Sequence, residues 1–292
     1  MPKKLQTENI NALIQRALAI EVEEAQDAGA LGFMARAMTL ASLPHSRVDG
    51  NEFERRNGAF SLSIVAPSRI GLPYGTVPRL LLSWLTTEAV RTKSRELVLG
   101  ESLSGFMRQL GLVPTGGRWG SVTRLKDQTA RLFASSITAV YADGQKTALL
   151  GYHVADSAIL WWDAKDPTQG SLWQSTVTLT EPFFREIVER PVPVDMRALQ
   201  ALKRSPMALD IYCWLTYRAS YLKKATEVSW AGLQGQFGAD YARTGQGPRD
   251  FRRSFIRHLK AVQTVYRDAK ATPTPSGLLL SPTVPHVRRI GG

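Results

Sequence analysis

Apolar residues recur at helical spacing in two separated stretches of the chain, and each stretch is followed by the same succession of signals. In the first, Leu81, Trp84, Leu85 and Ala89 mark an amphipathic helix that Pro78 opens. A short apolar run from Glu96 to Leu99 ends at Gly100, after which Ser102 caps a helix that runs to Leu110 and stops at Gly111. The Gly-rich stretch from Val113 to Gly120 predicts a turn, and a third helix follows with Val122, Leu125, Thr129, Leu132 and Phe133 inward. Ser136 to Ala142, the Asp143-Gly144 turn and Lys146 to Val154 predict a hairpin. Three helices and a hairpin make a winged helix.

The second stretch repeats the order. Pro206 precedes a helix from Met207 to Tyr221, with Leu209, Tyr212, Cys213, Leu215 and Tyr217 supplying its apolar content, and Ser229 caps a helix ending near Gly238. A Gly-rich turn from Thr244 to Pro248 leads to the longest helix, where Phe251, Phe255, Leu259, Val262 and Tyr266 form the core face. The segment Val265 to Ala271, a loop with Pro273, Pro275 and Gly277, and Leu278 to Val284 supply a second wing. Residues match as well as periods: Ser83 to Ala89 recurs as Cys213 to Ala219 at an offset of 130, and Ser102 to Gly111 recurs as Ser229 to Gly238 at 127. Two nearly equal offsets in the same order point to two copies of one module.

The expected fold is therefore α+β, two tandem winged-helix domains born of an internal duplication, behind an N-terminal helical extension. Residues 1–66 form the extension, partly helical, with Ile10 to Ala28 as an amphipathic helix and Ala59 to Ala66 as a strand. Residues 67–190 form the first winged-helix domain with extra strand-like segments, Ala158 to Trp162 and Leu172 to Leu179, and a helix from Glu181 to Glu189. Residues 191–292 form the second. Pro191 and Pro193 make a stiff connector across Arg190 to Val194.

Composition narrows the function. A hydrophobic content of 43% and a mean hydropathy of -0.16 over 292 residues describe an ordinary globular interior. No apolar run approaches a membrane span, and Met1 to Asn11 is polar, so a cytoplasmic protein is expected. Cys213 is the single cysteine, which excludes an internal disulfide and a multi-cysteine zinc site. Net charge is +12, and it is unevenly placed: residues 1–66 carry 7 Lys/Arg against 8 Asp/Glu, the remainder 30 against 17. The folded part is the basic part, which suits an anionic partner.

With the apolar stripe of the longest helix turned inward, Arg249, Arg253, Arg257 and Lys260 line its opposite side and Arg252 lies beside them. Such a face suits a phosphate-lined groove, and arginine also bonds guanine bidentately. In the first copy Arg124, Gln128 and Arg131 share a face of the third helix, with Ser121, Lys126 and Arg118 nearby. These third helices are the second element of a helix-turn-helix pair, the element that enters the major groove. The candidate DNA contacts are thus Arg249, Arg252, Arg253, Arg257 and Lys260 in one module and Arg118, Ser121, Arg124, Gln128 and Arg131 in the other.

The stretch Gly71 to Leu82, then Thr87 to Thr92, Gly111-Leu112, Gly116 to Gly120 and Arg131 to Phe133, resembles plasmid-encoded replication initiators of the RepA type. The resemblance is specific over about 30–155, where Leu31 to Pro44 also takes part, and looser over 195–286. It implies an initiator that binds directly repeated origin sequences (iterons) through two winged-helix domains, helps melt an adjacent AT-rich region, and recruits the host initiator and replicative helicase. It further implies a monomer–dimer equilibrium, with dimers repressing their own gene.

Catalytic signatures are missing from the sequence, so no enzyme, cofactor or metal is expected. The spacing of Gly232, Gly235 and Gly238 fits no phosphate-binding loop. His45, His153, His258 and His286 are isolated, whereas a nicking enzyme needs a closely spaced pair with a tyrosine. Asp156, Asp163 and Asp166 read as solvated turns rather than Mg²⁺ ligands, and Ser102 and Ser104 as a helix cap rather than a nucleophile. Trp161 and Trp162 fit either sheet core or a dimer surface. Two rivals remain: a winged-helix transcriptional regulator without a replication role, and a DNA nicking enzyme.

Overall fold

The computed structural model describes residues 12–14, 16, 17, 20, 24–160 and 175–287. It is a mixed α/β protein of helices and antiparallel sheets, divided into two compact units, 35–191 and 1–34 with 192–292. The segment 1–66 is shared between these units, with residues to 34 in one and from 35 in the other. Helical backbone occurs at 12–14, 16, 17 and 20. Among the described residues no helix is long and apolar enough to cross a membrane. Trp161, Trp162, Asp163, Asp166 and residues 172–174 of the second strand-like segment lie outside the described residues.

In the unit 35–191, a five-residue helix α1 (Arg36–Leu40) precedes a hairpin of β2 (Glu52–Asn57) and β3 (Phe60–Val65). Helix α2 (Val77–Thr92) carries Pro78 in its first turn, buries Leu80, Leu81, Leu85 and Ala89, and ends at Lys93 in left-handed conformation, φ 55°. After β4 (Glu96–Val98), the Ser102 hydroxyl accepts from the Gly105 amide at 3.2 Å and starts α3 (Leu103–Gln109). Trp84 meets Phe106 edge-on at 4.9 Å and donates its indole N–H to Gln109 at 2.9 Å. Helix α4 (Ser121–Ala134) follows, then β5 (Ser136–Ala142), β6 (Thr147–His153), β7 (Ala155–Ile159), β8 (Thr176–Leu179) and α5 (Glu181–Glu189).

The structure supplies the pairing of these strands, which the sequence left open. The hairpin at 136–154 forms, with Asp143 accepting from the Gln145 and Lys146 amides at its turn. It does not pair with β4, however. Strand β5 joins β3, giving the order β2-β3-β5-β6, because Ile64 sits opposite Ile137 and Leu62 opposite Ala139 and the four share one buried face. Strand β4 pairs instead with β8 in the order β4-β8-β7.

In the other unit, β1 (Leu31–Met34) pairs antiparallel with β9 (Val192–Asp195). Asp195 caps α6 (Met196–Leu202), and Ser205 caps α7 (Pro206–Ala219). Then come β10 (Thr226–Ser229), α8 (Trp230–Phe237), α9 (Gly247–Val265), β11 (Ala271–Pro273) and β12 (Gly277–Leu280). The sheet order is β10-β12-β11, so the strand between the first and second helices of the trio α7, α8, α9 pairs with the last strand of the unit. Ser229 accepts from the Gly232 amide at 3.2 Å, the same cap as Ser102. Trp214 packs edge-on against Phe237 at 5.5 Å, as Trp84 does against Phe106, with its partner on α8.

The segment after β12 folds back over this unit. Tyr266 donates its hydroxyl to the Val284 carbonyl at 2.6 Å, and the imidazole of His286 stacks on Tyr266 with ring centroids 4.8 Å apart. The Tyr212 hydroxyl accepts from the Asp195 amide at 2.9 Å and shares a hydrogen bond with His286 Nδ1 at 2.8 Å. Burial holds His286 below the ordinary histidine value, Asp195, Glu24 and Asp268 oppose that shift, and Arg197 adds to it. In the pH range between the folded value and the unfolded value of about 6.5, the unfolded chain binds the proton and the folded one does not. Stability present above about pH 6.5 is therefore expected to fall as the pH drops. Thermal unfolding at about pH 7.5 and about pH 5.5 should show a larger loss in the parent protein than in His286→Gln; an equal loss in both refutes the assignment.

Candidate nucleic-acid interface

Helix α9 is anchored by an aromatic core. Phe251 and Phe255 are fully buried, 5.7 Å apart; Phe237 lies 5.5 Å and Trp230 6.0 Å from Phe255, and Tyr241 5.6 Å from Phe251. Leu259, Val262 and Val265 continue the buried stripe. The stripe fixes the helix rotation, and the opposite face carries Arg249, Arg253, Arg257 and Lys260, all exposed. Together with Arg252 and Ile256 they line an open concavity of ≈ 530 Å³. Arg253 reaches Asp250 at 2.6 Å, an exposed pair that breaks at little cost when a phosphate competes. His258 bonds the Ser254 carbonyl through Nδ1 at 2.8 Å; burial holds it below the usual histidine value, the Ser254 bond opposes that shift and Arg257 adds to it.

Arg252 belongs to this face by position and differs in its contacts. Its guanidinium lies 5.0 Å from the Trp230 ring and donates to the carbonyls of Thr274 at 3.1 Å and Pro275 at 3.4 Å, at the turn between β11 and β12. Trp230 donates to the Thr274 carbonyl too, at 3.1 Å. The Thr274 and Ser276 hydroxyls both donate to Glu227 on β10, and those bonds lower the Glu227 carboxyl. Gly277 closes the turn where no side chain fits, since a Cβ there would lie 2.2 Å from the Val228 carbonyl oxygen. Arg252 thus ties the long helix to the strand turn beside it.

The structure separates the five candidates of the first copy. Arg118 and Arg124 are exposed. Ser121 is buried: its hydroxyl donates to the Val113 carbonyl at 2.6 Å and accepts from the Thr115 amide at 2.9 Å. Gln128 is buried as well, accepting from the Tyr74 amide at 2.8 Å and donating to Asp127 at 3.0 Å. Its place three residues after Leu125 and four before Leu132 puts it inside the apolar stripe rather than opposite it. Arg131 is half-buried, bonded to Asp127 at 2.8 Å and to the Leu72 carbonyl at 3.3 Å, with its guanidinium 5.6 Å from the Tyr74 ring. Ser121, Gln128 and Arg131 therefore brace the loops around α4. Trp119, 82% exposed, was not singled out from the sequence; a large aromatic between Gly117 and Gly120 was the available signal.

Asp156 pairs with Arg95 at 2.5 Å, and among the described residues no group of three or more His, Cys, Asp or Glu lies close enough to hold a metal.

Comparison with known proteins adds three findings. The family model described as plasmid encoded RepA protein matches residues 72–231, more than half of the chain. A crystal structure of domain 2 and domain 3 of RctB matches with a TM-score of 0.56 at 11% identity, over 86% of this chain and 99% of that one, which is a likeness of fold. A second RctB structure, of domains 2-3, matches with a TM-score of 0.48 at 10% identity, over 83% and 94%. No curated protein sequence matches.

Proposed function

The chain belongs to the family of plasmid-encoded RepA proteins, replication initiators of the Rep type, and on that premise we propose that it opens a plasmid origin by binding its direct repeats through two winged-helix modules. The modules are α2, β4, α3, α4 with β7 and β8, and α7, β10, α8, α9 with β11 and β12. In each, the third helix enters the major groove. Two modules joined across residues 190–194 cover successive groove segments, and the bound protein then promotes melting and recruits the host initiator and helicase. As a dimer it represses its own gene.

The observation that carries this reading is the four exposed cations of α9 on a helix whose rotation the aromatic core fixes. A solvated helix face usually alternates acid and base. Arg249, Arg253, Arg257 and Lys260 do not, and the helix presents them without ordering of its backbone on binding. Their role is binding rather than catalysis.

The test is a footprint of the purified protein on DNA flanking its own gene, across a salt titration and with Mg²⁺ present. The expected result is protection of several evenly phased direct repeats without cleavage, with affinity falling linearly in log salt. A single protected inverted repeat assigns a repressor without an initiator role. Metal-dependent nicking of supercoiled DNA, abolished at one tyrosine or acid, assigns the nicking enzyme.

A further inference from the structure

Trp119 is the most exposed large apolar side chain among those described, at 82%. An indole left in water forgoes the gain that burial would give it, and in a loose loop it folds down onto the nearest apolar surface. This loop is not loose. Thr115 and Ser121 bond reciprocally, amide to hydroxyl at 2.9 Å in each direction, and the Val122 amide donates to the Thr115 carbonyl at 3.2 Å. The Gly120 amide donates to the Gly117 carbonyl at 3.0 Å, and Thr123 on α4 donates its hydroxyl to the same carbonyl at 2.9 Å. Gly117 takes φ 84°, and Gly120 packs so closely that a Cβ would lie 2.2 Å from the Thr115 carbonyl oxygen. The knot holds the tip beside the outer side of the first turn of α4, next to exposed Arg124. Arg118 lies 5.2 Å from the Trp119 ring and leaves the rest of the indole open.

We propose that Trp119 is a specificity-determining residue of the first module, packing its indole against the C5-methyl group of a thymine in the major groove while Arg118 holds the adjacent phosphate. The inference rests on the reading of α4 as a groove-entering helix. Within that reading the chemistry selects the occupant. The loop directly precedes the end of the helix that contacts base edges, its cations match a phosphate backbone, and the thymine methyl is the apolar group that the major groove presents. An aromatic plate on a braced loop beside Arg118 suits that methyl and has no hydrogen-bond partner to offer a guanine or cytosine edge beyond one N–H.

The experiment uses the full chain and the duplex found by footprinting, with each thymine of the repeat replaced in turn by uracil, which removes the methyl alone. For the parent protein one replacement is expected to weaken binding about fourfold, the worth of one buried methyl at about 0.8 kcal/mol. In Trp119→Ala that step disappears and overall specific affinity falls, while the melting temperature stays, because the side chain touches no core. Trp119→Phe keeps a reduced step. A fourfold uracil penalty that persists unchanged in Trp119→Ala overturns the assignment, as does a parent protein that binds its repeat with no uracil penalty at any position. A parent protein without sequence-specific binding removes the underlying reading of α4 and α9 along with it.

Discussion

Alanine at both Arg253 and Arg257 is expected to weaken specific DNA binding by roughly a hundredfold or more, each guanidinium contributing about 1–3 kcal/mol if it reads a base edge. The two are one helical turn apart on the exposed face of α9, so their losses couple and the double variant is measured beside both singles. Salt dependence separates the roles. Phosphate contacts lower affinity evenly across sequences and remove about one from the slope of log affinity against log salt for each residue. Base contacts remove discrimination at defined positions of the repeat. Neither variant should lose stability, since Arg253 is 80% exposed and its ion pair with Asp250 is screened by solvent. Arg252→Ala makes the contrast. It breaks bonds to the Thr274 and Pro275 carbonyls and uncovers Trp230, so it acts by loosening the β11–β12 turn, and the salt slope stays closer to the parent's. Binding by the double variant equal to the parent's at matched salt removes α9 from the interface.

The α9 face was legible because one period carried it: Phe251, Phe255, Leu259 and Val262 are apolar enough to fix the rotation by themselves. The serine caps at Ser102 and Ser229 were legible for a similar reason, being local chemistry between residues three apart. Gln128 was not. Its spacing from Arg124 and Arg131 placed it on a polar face, yet the buried side of α4 has an unmet backbone amide, that of Tyr74, fifty-four residues earlier in the chain, and a carboxamide is what answers it. Only a fold that brings residues 71–74 against α4 reveals the partner. The partner of β4 was hidden in the same way, since strand pairing is set by which faces match across long separations, and β4 pairs with β8 some eighty residues later. Trp119 marks a third limit. Glycines announced a turn but not the knot of hydrogen bonds that holds the ring outward.

The largest loss of stability is expected from a residue that lies on neither α4 nor α9. Arg79, in the first turn of α2, is 4% exposed and donates to three main-chain carbonyls, Leu43 at 2.6 Å, Pro44 at 3.1 Å and Gly75 at 2.5 Å. Those carbonyls lie on two loops, each ending in irregular backbone that has no sheet or helix to satisfy it. A guanidinium suits the site because its donors are spread in a fixed plane, so one side chain reaches both loops at once. Arg79→Met keeps most of the volume and removes every donor. Pro44 keeps the Gly75 amide at 3.1 Å, whereas the Leu43 and Gly75 carbonyls lose these donors, at about 1–3 kcal/mol each, so the variant is expected to lose about 2–6 kcal/mol, a fall in melting temperature on the order of 10 °C for a unit of this size. Arg79→Lys should lie between, since one ammonium cannot span both loops. Arg91→Ala on the same helix is the control: its pair with Glu88 is solvent-exposed, and its loss should change little. If Arg79→Met melts with the parent, the Leu43 and Gly75 carbonyls find other partners and the clamp is not what holds these loops to α2.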